Sequence, residues 1–357
     1  MNKSPEIKYD DAIELLKDLI SVPSFSKEEN GTADLIEKWL QQRGIRAERQ
    51  LNNVWAKNKD FNSGKPTILL NSHHDTVKPN KGYTRDPFEA TVLDDKLYGL
   101  GSNDAGGALV SLLSVFNYFY NKPDLPFNLI IAATSEEEIS GENGITALLP
   151  KLGKIDSAIV GEPTLMQMAV AERGLLVIDC TAEGKAGHAA RNEGVNAIYK
   201  AMMDIEWLYV YQFPKVSELL GPVKLTVTSI ETENKAHNVV PSSCKFIIDV
   251  RVNELYTLEE VFEIIKMNIQ SHATPRSCRL RSSIIPSDHP LVKAGASLGL
   301  QSYGSPTSSD KALMPFPALK IGPGDSARSH TADEFIYVSE IKKGIDLYIQ
   351  ILNKLMP

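Results

Sequence analysis

The order in which hydrophobic periodicities follow one another restricts the fold more than any other feature of this chain. Thr67 to Asn71, Phe127 to Thr134 and Asp156 to Val160 are apolar runs of strand length, and between them Asp104 to Tyr120 and Gly144 to Leu152 repeat at helical spacing. Alternating strand and helix signals predict an α/β sheet, because each helix must bury its apolar stripe on a sheet face. Two helices precede the sheet. Ala12, Leu15, Leu16, Leu19 and Ile20 share one face ahead of Pro23, and a second helix runs from about Gly31 to Gly44. Near Arg173 the rhythm changes to strand (Leu175 to Ala182), helix (Val195 to Tyr211), strand (Val223 to Ile230), strand (Cys244 to Val252), helix (Leu258 to Ile269) and strand (Cys278 to Ile285). That is the βαββαβ order of a ferredoxin-like module. Its second helix opens on Thr257 and Glu260 at capping-box spacing. From Asp288 the first rhythm returns, with a strand at Ala318 to Ile321 and a last helix whose apolar face is Ile341, Ile345, Tyr348, Ile349 and Leu352. The expectation is a discontinuous α/β domain of residues 1–173 and 286–357 with a module of residues 174–285 inserted in it.

Composition narrows the partners. The 357 residues suit two domains, and 42% hydrophobic with 23% charged residues is the balance of a globular protein. A net charge of -7 with no run of Lys or Arg argues against nucleic acid and anionic membrane surfaces. No stretch approaches the roughly 20 apolar residues of a membrane span. Met1 to Asp11 is polar and carries Pro5, unlike a secretory or transit leader. Cys180, Cys244 and Cys278 lack the paired spacings of a disulfide framework or thiolate metal site, so a cytoplasmic location is expected.

The polar residues that carry chemistry sit just past strand C-termini. His73 to Asp75 follow the run from Thr67, Glu136 to Glu138 follow the run from Phe127, and Glu162 follows the run from Asp156. In open α/β sheets ligands bind at that edge, where Asp104 at the head of a helix and His330 in a late loop can join them. Two His and three carboxylates suit a pair of zinc ions. Two metals about 3.5 to 4 Å apart can hold a hydroxide and polarise a carbonyl. The Asp75 carboxylate is placed to accept the other ring N–H of a ligating His73 and fix its tautomer. Three consecutive acids would repel one another unless cations were near. Glu136 is the one left to face solvent, and His74 is assigned to support behind the ligands or to packing. Gly99-Leu100-Gly101 is not a dinucleotide loop, because Asp104 occupies the place of its third glycine. No Gly-x-Ser-x-Gly elbow supports a serine hydrolase.

Taken in order, five segments resemble the zinc aminoacylase and carboxypeptidase family of M20-type metallopeptidases, which includes acetylornithine deacetylase and succinyl-diaminopimelate desuccinylase. They are Ser72-His73-His74-Asp75-Thr76-Val77, Gly99-Leu100-Gly101-Ser102-Asn103-Asp104, Ser135-Glu136-Glu137-Glu138, Val160-Gly161-Glu162-Pro163-Thr164, and Ser329-His330 followed by Asp333-Glu334. The resemblance implies a zinc-exopeptidase-like catalytic domain with an inserted ferredoxin-like lid and dimerisation domain. It implies that Asp104 bridges two Zn2+ ions, replaceable by Co2+ or Mn2+, with His73 and Glu162 on one and Glu138 and His330 on the other. Glu137 becomes the general base. His188, in Gly187-His188, matches a His that stabilises the oxyanion in the partner subunit, so a homodimer is implied. Asn238 and Arg251 match positions that bind the substrate carboxylate, although an ion pair with Asp249 competes for Arg251. Gly324, in Gly322-Pro323-Gly324, shapes the loop carrying His330 and offers its backbone to substrate.

The implied activity is deacylation of a small N-acyl-L-amino acid. Gly194-Val195-Asn196-Ala197-Ile198 and Gly322-Pro323-Gly324 look most like acetylornithine deacetylases of arginine biosynthesis, with N-acetylcitrulline a close competitor. Succinyl-diaminopimelate, succinyl-ornithine and dipeptides are the alternatives. A metal-free binding protein on the same fold is opposed by the presence of Glu137 and every ligand. The chain departs from many relatives at Ala105-Gly106-Gly107, where Met-Lys-Gly is frequent, at Ser72, where Gly is usual, and at His74, where Thr is usual. None removes a ligand, but each alters the pocket.

Overall fold

The computed structural model describes residues 9–191 and 193–356; residues 1–8, on which most of the leader argument rests, lie outside the described residues. The chain divides into two compact units, Met1–Val170 with Ile285–Tyr303 and Ser309–Pro357, and Ala171–Ile284 with Gly304–Ser308. The short piece Gly304–Ser308 falls within residues 286–357, which the sequence boundaries left with the larger domain. Its Ser308 hydroxyl donates to the Arg173 carbonyl, and its Ser305 carbonyl accepts from the Arg173 N–H.

The larger unit is built on a mixed sheet in the order Glu48–Gln50, Asn53–Lys57, Asn128–Thr134, Thr67–His73, Ser157–Val160, Ala318–Lys320, Met168–Glu172. The four central strands, from Asn128–Thr134 to Ala318–Lys320, run parallel. They are buried on both faces, and successive side chains go to different cores. Ile68, Leu70, Leu129, Ile131 and Ile159 pack with the helices Tyr9–Ile20, Asn30–Gln42, Gly107–Tyr120 and Val338–Asn353. Leu69, Ile130, Ala132, Ala158 and Val160 meet Ile145, Leu148 and Leu152 of the helix Ile145–Leu152. This two-sided burial explains why the strands read as continuous apolar runs. Asp104 is not on a helix, as the sequence pattern suggested. The α-helix begins at Gly107, and Asp104 and Ala105 have non-helical backbones in the tight turn before it. Gly106 permits that turn, since a Cβ there would stand 2.4 Å from the Gly101 carbonyl oxygen.

The second unit is an antiparallel sheet ordered Lys224–Glu231, Ser243–Val252, Gly174–Glu183, His272–Pro275, with the helices Ala197–Val210 and Leu258–Asn268 packed on it. Along Gly174–Glu183 alternate residues Leu176, Ile178, Cys180 and Ala182 face the core. The Thr257/Glu260 capping box is formed in full. The fourth strand differs from expectation: it is His272–Pro275, and of the run Cys278–Ile285 only Ser283–Ile284 pairs, with Glu172 and Ala171. The reason is the buried Asp204 carboxylate, which accepts from Gln270 N, Ser271 N and Ser271 Oγ and turns the chain into the sheet directly after the helix. With Ala273 as its one buried residue, that strand has no hydrophobic pattern to detect. Among the described residues no helix is long and apolar enough to cross a membrane.

Candidate metal centre

Because the central strands are parallel, their C-terminal ends lie along one edge, and the sheet gathers there what the sequence scatters. His73 ends the strand Thr67–His73, Glu136 to Glu138 follow Thr134, Glu162 follows Val160, and His330 lies in the loop after Lys320. The His73 Nε2 atom is 3.4 Å from Asp104 Oδ1 and 3.9 Å from Glu162 Oε1. The His330 Nε2 atom is 3.0 Å from Glu138 Oε2 and 3.7 Å from Asp104 Oδ2. Asp104 thus turns one oxygen to each imidazole, the arrangement a bridging carboxylate requires. Ligand atoms of His73, Asp104 and Glu138 all lie within 4.8 Å of one another, as do those of His73, Glu137 and Glu162.

The charges fit divalent cations. The carboxylates of Asp104, Glu137, Glu138 and Glu162 crowd two imidazoles, an excess of negative charge that burial alone would penalise. Burial works to lower the pKa of His73, but its contacts with Asp104 and Asp75 and the charges of Glu137 and Glu162 win and hold it well above its ordinary range. His330 is pushed up to about 9, chiefly by its hydrogen bond to Glu138. Burial, reinforced by Glu162, Asp310 and Glu138 and opposed by His73, lifts the Glu137 carboxyl well above its usual value. Protons held so firmly among carboxylates occupy positions for which a metal ion would compete. All donors are imidazole nitrogen or carboxylate oxygen, which suits zinc and related ions.

The outer contacts correct two assignments. His73 Nδ1 lies 2.9 Å from the main-chain oxygen of Asp75 and 3.5 Å from its carboxylate, so the backbone carbonyl is the nearer acceptor of the ring N–H. The Asp75 carboxylate instead accepts from Ser26 Oγ at 2.7 Å, Glu137 N at 3.0 Å and Glu138 N at 3.2 Å. It anchors the loop of the proposed base. Glu136 does not face solvent. It is 5% exposed, its carboxylate accepts from Asn143 Nδ2 at 2.9 Å, and its N–H donates to Glu29 at 3.1 Å. His74 packs as expected: Nε2 faces the Asn52 carbonyl, Nδ1 faces the Thr32 hydroxyl, and burial lowers its pKa to about 4.

Sequence reasoning missed Glu29 and Asp310, both buried beside the cluster. Asp310 accepts from the Thr134 hydroxyl at 2.7 Å, and burial raises its pKa to about 6. Neither offered a signal, since Lys27-Glu28-Glu29 and Ser308-Ser309-Asp310 read as solvated loops. Gly324 is in the larger unit with a φ of +90°, and a Cβ there would stand 2.5 Å from Asn103 Oδ1. The other candidate residues belong to the second unit. His188 pairs with Val239 across two short strands, its Nδ1 accepting from Ala190 N. The Asn238 carbonyl accepts from Ala189 N, which makes Asn238 and His188 neighbours. Arg251 is held by Asp249 through Nε at 2.8 Å and Nη2 at 3.1 Å, the competing ion pair.

An α/β sheet that gathers two His around one shared carboxylate, with further acids beside them, has the donor set of a metal-dependent hydrolase. The chain belongs to peptidase family M20/M25/M40, which it matches over residues 69–354. It is 30% identical over 293 residues to a succinyl-diaminopimelate desuccinylase of Orientia tsutsugamushi (strain Boryong), covering 75% of each chain. A succinyl-diaminopimelate desuccinylase of Parvibaculum lavamentivorans is 26% identical, with 98% of this chain and 96% of that one covered. Among solved structures, the aminopeptidase PepT of Bacillus cereus superposes with a TM-score of 0.79 at 18% identity, covering 98% of this chain and 100% of the other. The Bacillus subtilis YXEP protein, described as a dinuclear metal binding peptidase from the M20 family, gives 0.70 at 16% identity, with 98% of each chain covered.

Proposed function

We propose that the protein removes an N-succinyl group from an α-amino acid by hydrolysis of the amide bond. The convergence of His73, His330 and the carboxylates on Asp104 carries the hydrolytic part of this reading. Likeness to desuccinylases along the chain supports succinyl over the N-acetylornithine and N-acetylcitrulline readings that the sequence patterns favoured.

His73, Asp104 and Glu162 would hold one divalent cation, and Asp104, Glu138 and His330 a second; zinc suits these donors, with cobalt or manganese as substitutes. When bound, such a pair supplies Lewis acidity at the scissile carbonyl and makes nearby water more acidic. Glu137 lies beside this set, its carboxylate 3.9 Å from His73 Nε2, close enough to serve as a ligand as well. We assign it as base because the other acids already complete both sets. Glu137 takes a proton from the attacking water as its oxygen adds to the carbonyl carbon. It returns that proton to the nitrogen as the C–N bond breaks, releasing succinate and a free amine. Asn238 and Arg251 would receive the substrate carboxylate, Arg251 by giving up part of its contact with Asp249. The Gly324 backbone would line the pocket.

Two copies of the chain would associate through the second unit. Tyr199, Met202, Met203, Tyr209 and Val210 are exposed on the helix Ala197–Val210, and among the described residues the strand Lys224–Glu231 has a neighbour on one side only. His188 would then act on the oxyanion in the partner's site. The test is a panel of N-succinyl-diaminopimelate, N-succinylornithine, N-acetylornithine, N-acetylcitrulline and dipeptides, assayed for released amine with added zinc or cobalt. The expected result is at least tenfold higher kcat/KM on succinylated substrates. Preference for an acetylated substrate would overturn the acyl assignment, and inactivity on all would overturn amide hydrolysis.

A further inference from the structure

The loop that presents Asp104 is held from behind by an acid that no ligand role requires. Glu334 is 2% exposed. Its Oε1 accepts from Asn103 N at 2.8 Å and Asp104 N at 2.9 Å, and its Oε2 accepts from Gly101 N at 3.0 Å. Its own carbonyl accepts from Gly99 N, and the adjacent Asp333 carboxylate accepts from Thr84 N, Thr84 Oγ1 and Arg85 N. The bridging residue is therefore suspended by its backbone from a side chain 230 positions away. Among the described residues no Lys or Arg pairs with Glu334. Three N–H groups favour its charged form, which burial opposes.

Asn103 extends the same clasp to the second imidazole. It is fully buried, and its amide bonds both ways with one residue: Nδ2 donates to the Asp325 carbonyl at 3.0 Å and Oδ1 accepts from Asp325 N at 3.0 Å. Asp325 opens the segment that leads to His330, and the preceding Gly324 is confined to glycine by contact with Asn103 Oδ1. The two loops that supply Asp104 and His330 are thus joined through Asn103 and Glu334 in addition to the approach of His330 to Asp104.

We propose that Glu334 and Asn103 are positioning residues that fix Asp104 between the two cation sites and set its spacing to His330. This rests on the reading above that Asp104 is shared by two cations. A carboxylate anchored only by its ligand bonds could rotate to serve one cation; with the loop clasped at the N–H of Asp104 and at those of Asn103 and Gly101 before it, it is preorganised to serve two. Neither residue is among those proposed to receive substrate.

The test measures metal retention apart from turnover. Wild type, Glu334→Gln and Asn103→Asp are loaded with Co2+, and stoichiometry, affinity and release to a chelator are followed by absorption, alongside kcat, KM and the melting temperature of the metal-free protein. Gln retains one acceptor oxygen but turns an NH2 toward a peptide N–H. Asp keeps the Oδ1 acceptor of Asn103 and loses the Nδ2 donor. Both variants should bind one of the two equivalents about 10- to 100-fold more weakly and release it correspondingly faster, the usual consequence of losing an outer-sphere partner. Lower kcat with KM within about twofold should accompany this, because Glu334 acts through Asp104. Wild-type affinity and release rate in a folded Glu334→Gln protein would overturn the proposal; should that variant not fold, Asn103→Asp decides it by the same criterion. Asp104→Ala serves as the control. A wild-type protein that never takes up two equivalents would overturn the two-cation reading instead, so the two failures are distinguishable.

Discussion

Asp75→Asn distinguishes the role that the sequence suggested for this carboxylate from the one its contacts describe. Asn keeps the volume and one carbonyl oxygen. Asp75 Oδ1 accepts from Glu137 N, however, while Oδ2 accepts from Ser26 Oγ and Glu138 N. Whichever way the amide turns, its NH2 faces at least one main-chain N–H. A hydrogen bond to a charged acceptor contributes about 1.5–3 kcal/mol, and a buried donor left unpaired costs about 1–3 kcal/mol, so a loss of roughly 3 kcal/mol in stability is expected. Freeing Glu137 N lets the base loop shift, and a displacement of about 1 Å at a catalytic group costs roughly 100-fold. His73 keeps the main-chain oxygen of Asp75 on its Nδ1, so the His73 end of the cluster should still bind metal. The assay is kcat at saturating Co2+, the equivalents of Co2+ kept after dialysis, and the urea midpoint. Expected are a kcat about 100-fold lower and at least one equivalent retained. Full kcat in the folded variant would refute the anchoring argument. So would loss of all Co2+ from a variant whose parent retains two equivalents, a result that would return the carboxylate to His73.

Glu137→Gln should keep its metal and lose roughly 10²- to 10⁴-fold in kcat, the range for a general base; metal loss by elemental analysis would instead make Glu137 a ligand. Mixing an inactive His188→Ala protein with an inactive Glu137→Gln protein should recover part of the activity as mixed dimers form, since one site then has an intact base and a His from its partner; confirmed mixed dimers without recovery would remove His188 from the partner's site. In the second unit, Asp204→Ala leaves the Gln270 and Ser271 N–H groups without their acceptor in a buried setting and should destabilise by about 2–4 kcal/mol in urea. A change below about 0.5 kcal/mol would contradict the turn-forming role given to it, being no more than a surface substitution causes. Asp156 is held below the usual carboxylate range, first by the Thr67 N–H and then by Lys154. Its contribution is present above the unfolded Asp pKa of about 4 and is lost as pH falls through the lower folded value. Asp156→Asn should therefore flatten the acid side of the melting curve below about pH 4, and an unchanged acid limb would count against it.

Strand and helix order, the inserted βαββαβ rhythm and the His and carboxylate residues that cluster at the sheet edge were legible along the chain because each is local. Two-sided burial writes apolar runs into Thr67–His73 and Asn128–Thr134, and residues placed just after strand ends must emerge at one edge of a parallel sheet. What only the tertiary structure decided is which polar groups meet. Glu29 and Asp310 look in sequence like any solvated acid, and Glu334 entered only as part of a family segment without a role; the burial of all three follows from loops that approach from more than a hundred residues away. The partner of the Asp75 carboxylate and the strand His272–Pro275 were misjudged for the same reason. A main-chain N–H leaves no mark on the sequence, so the side chain that will accept from it is known only when the fold brings the two together.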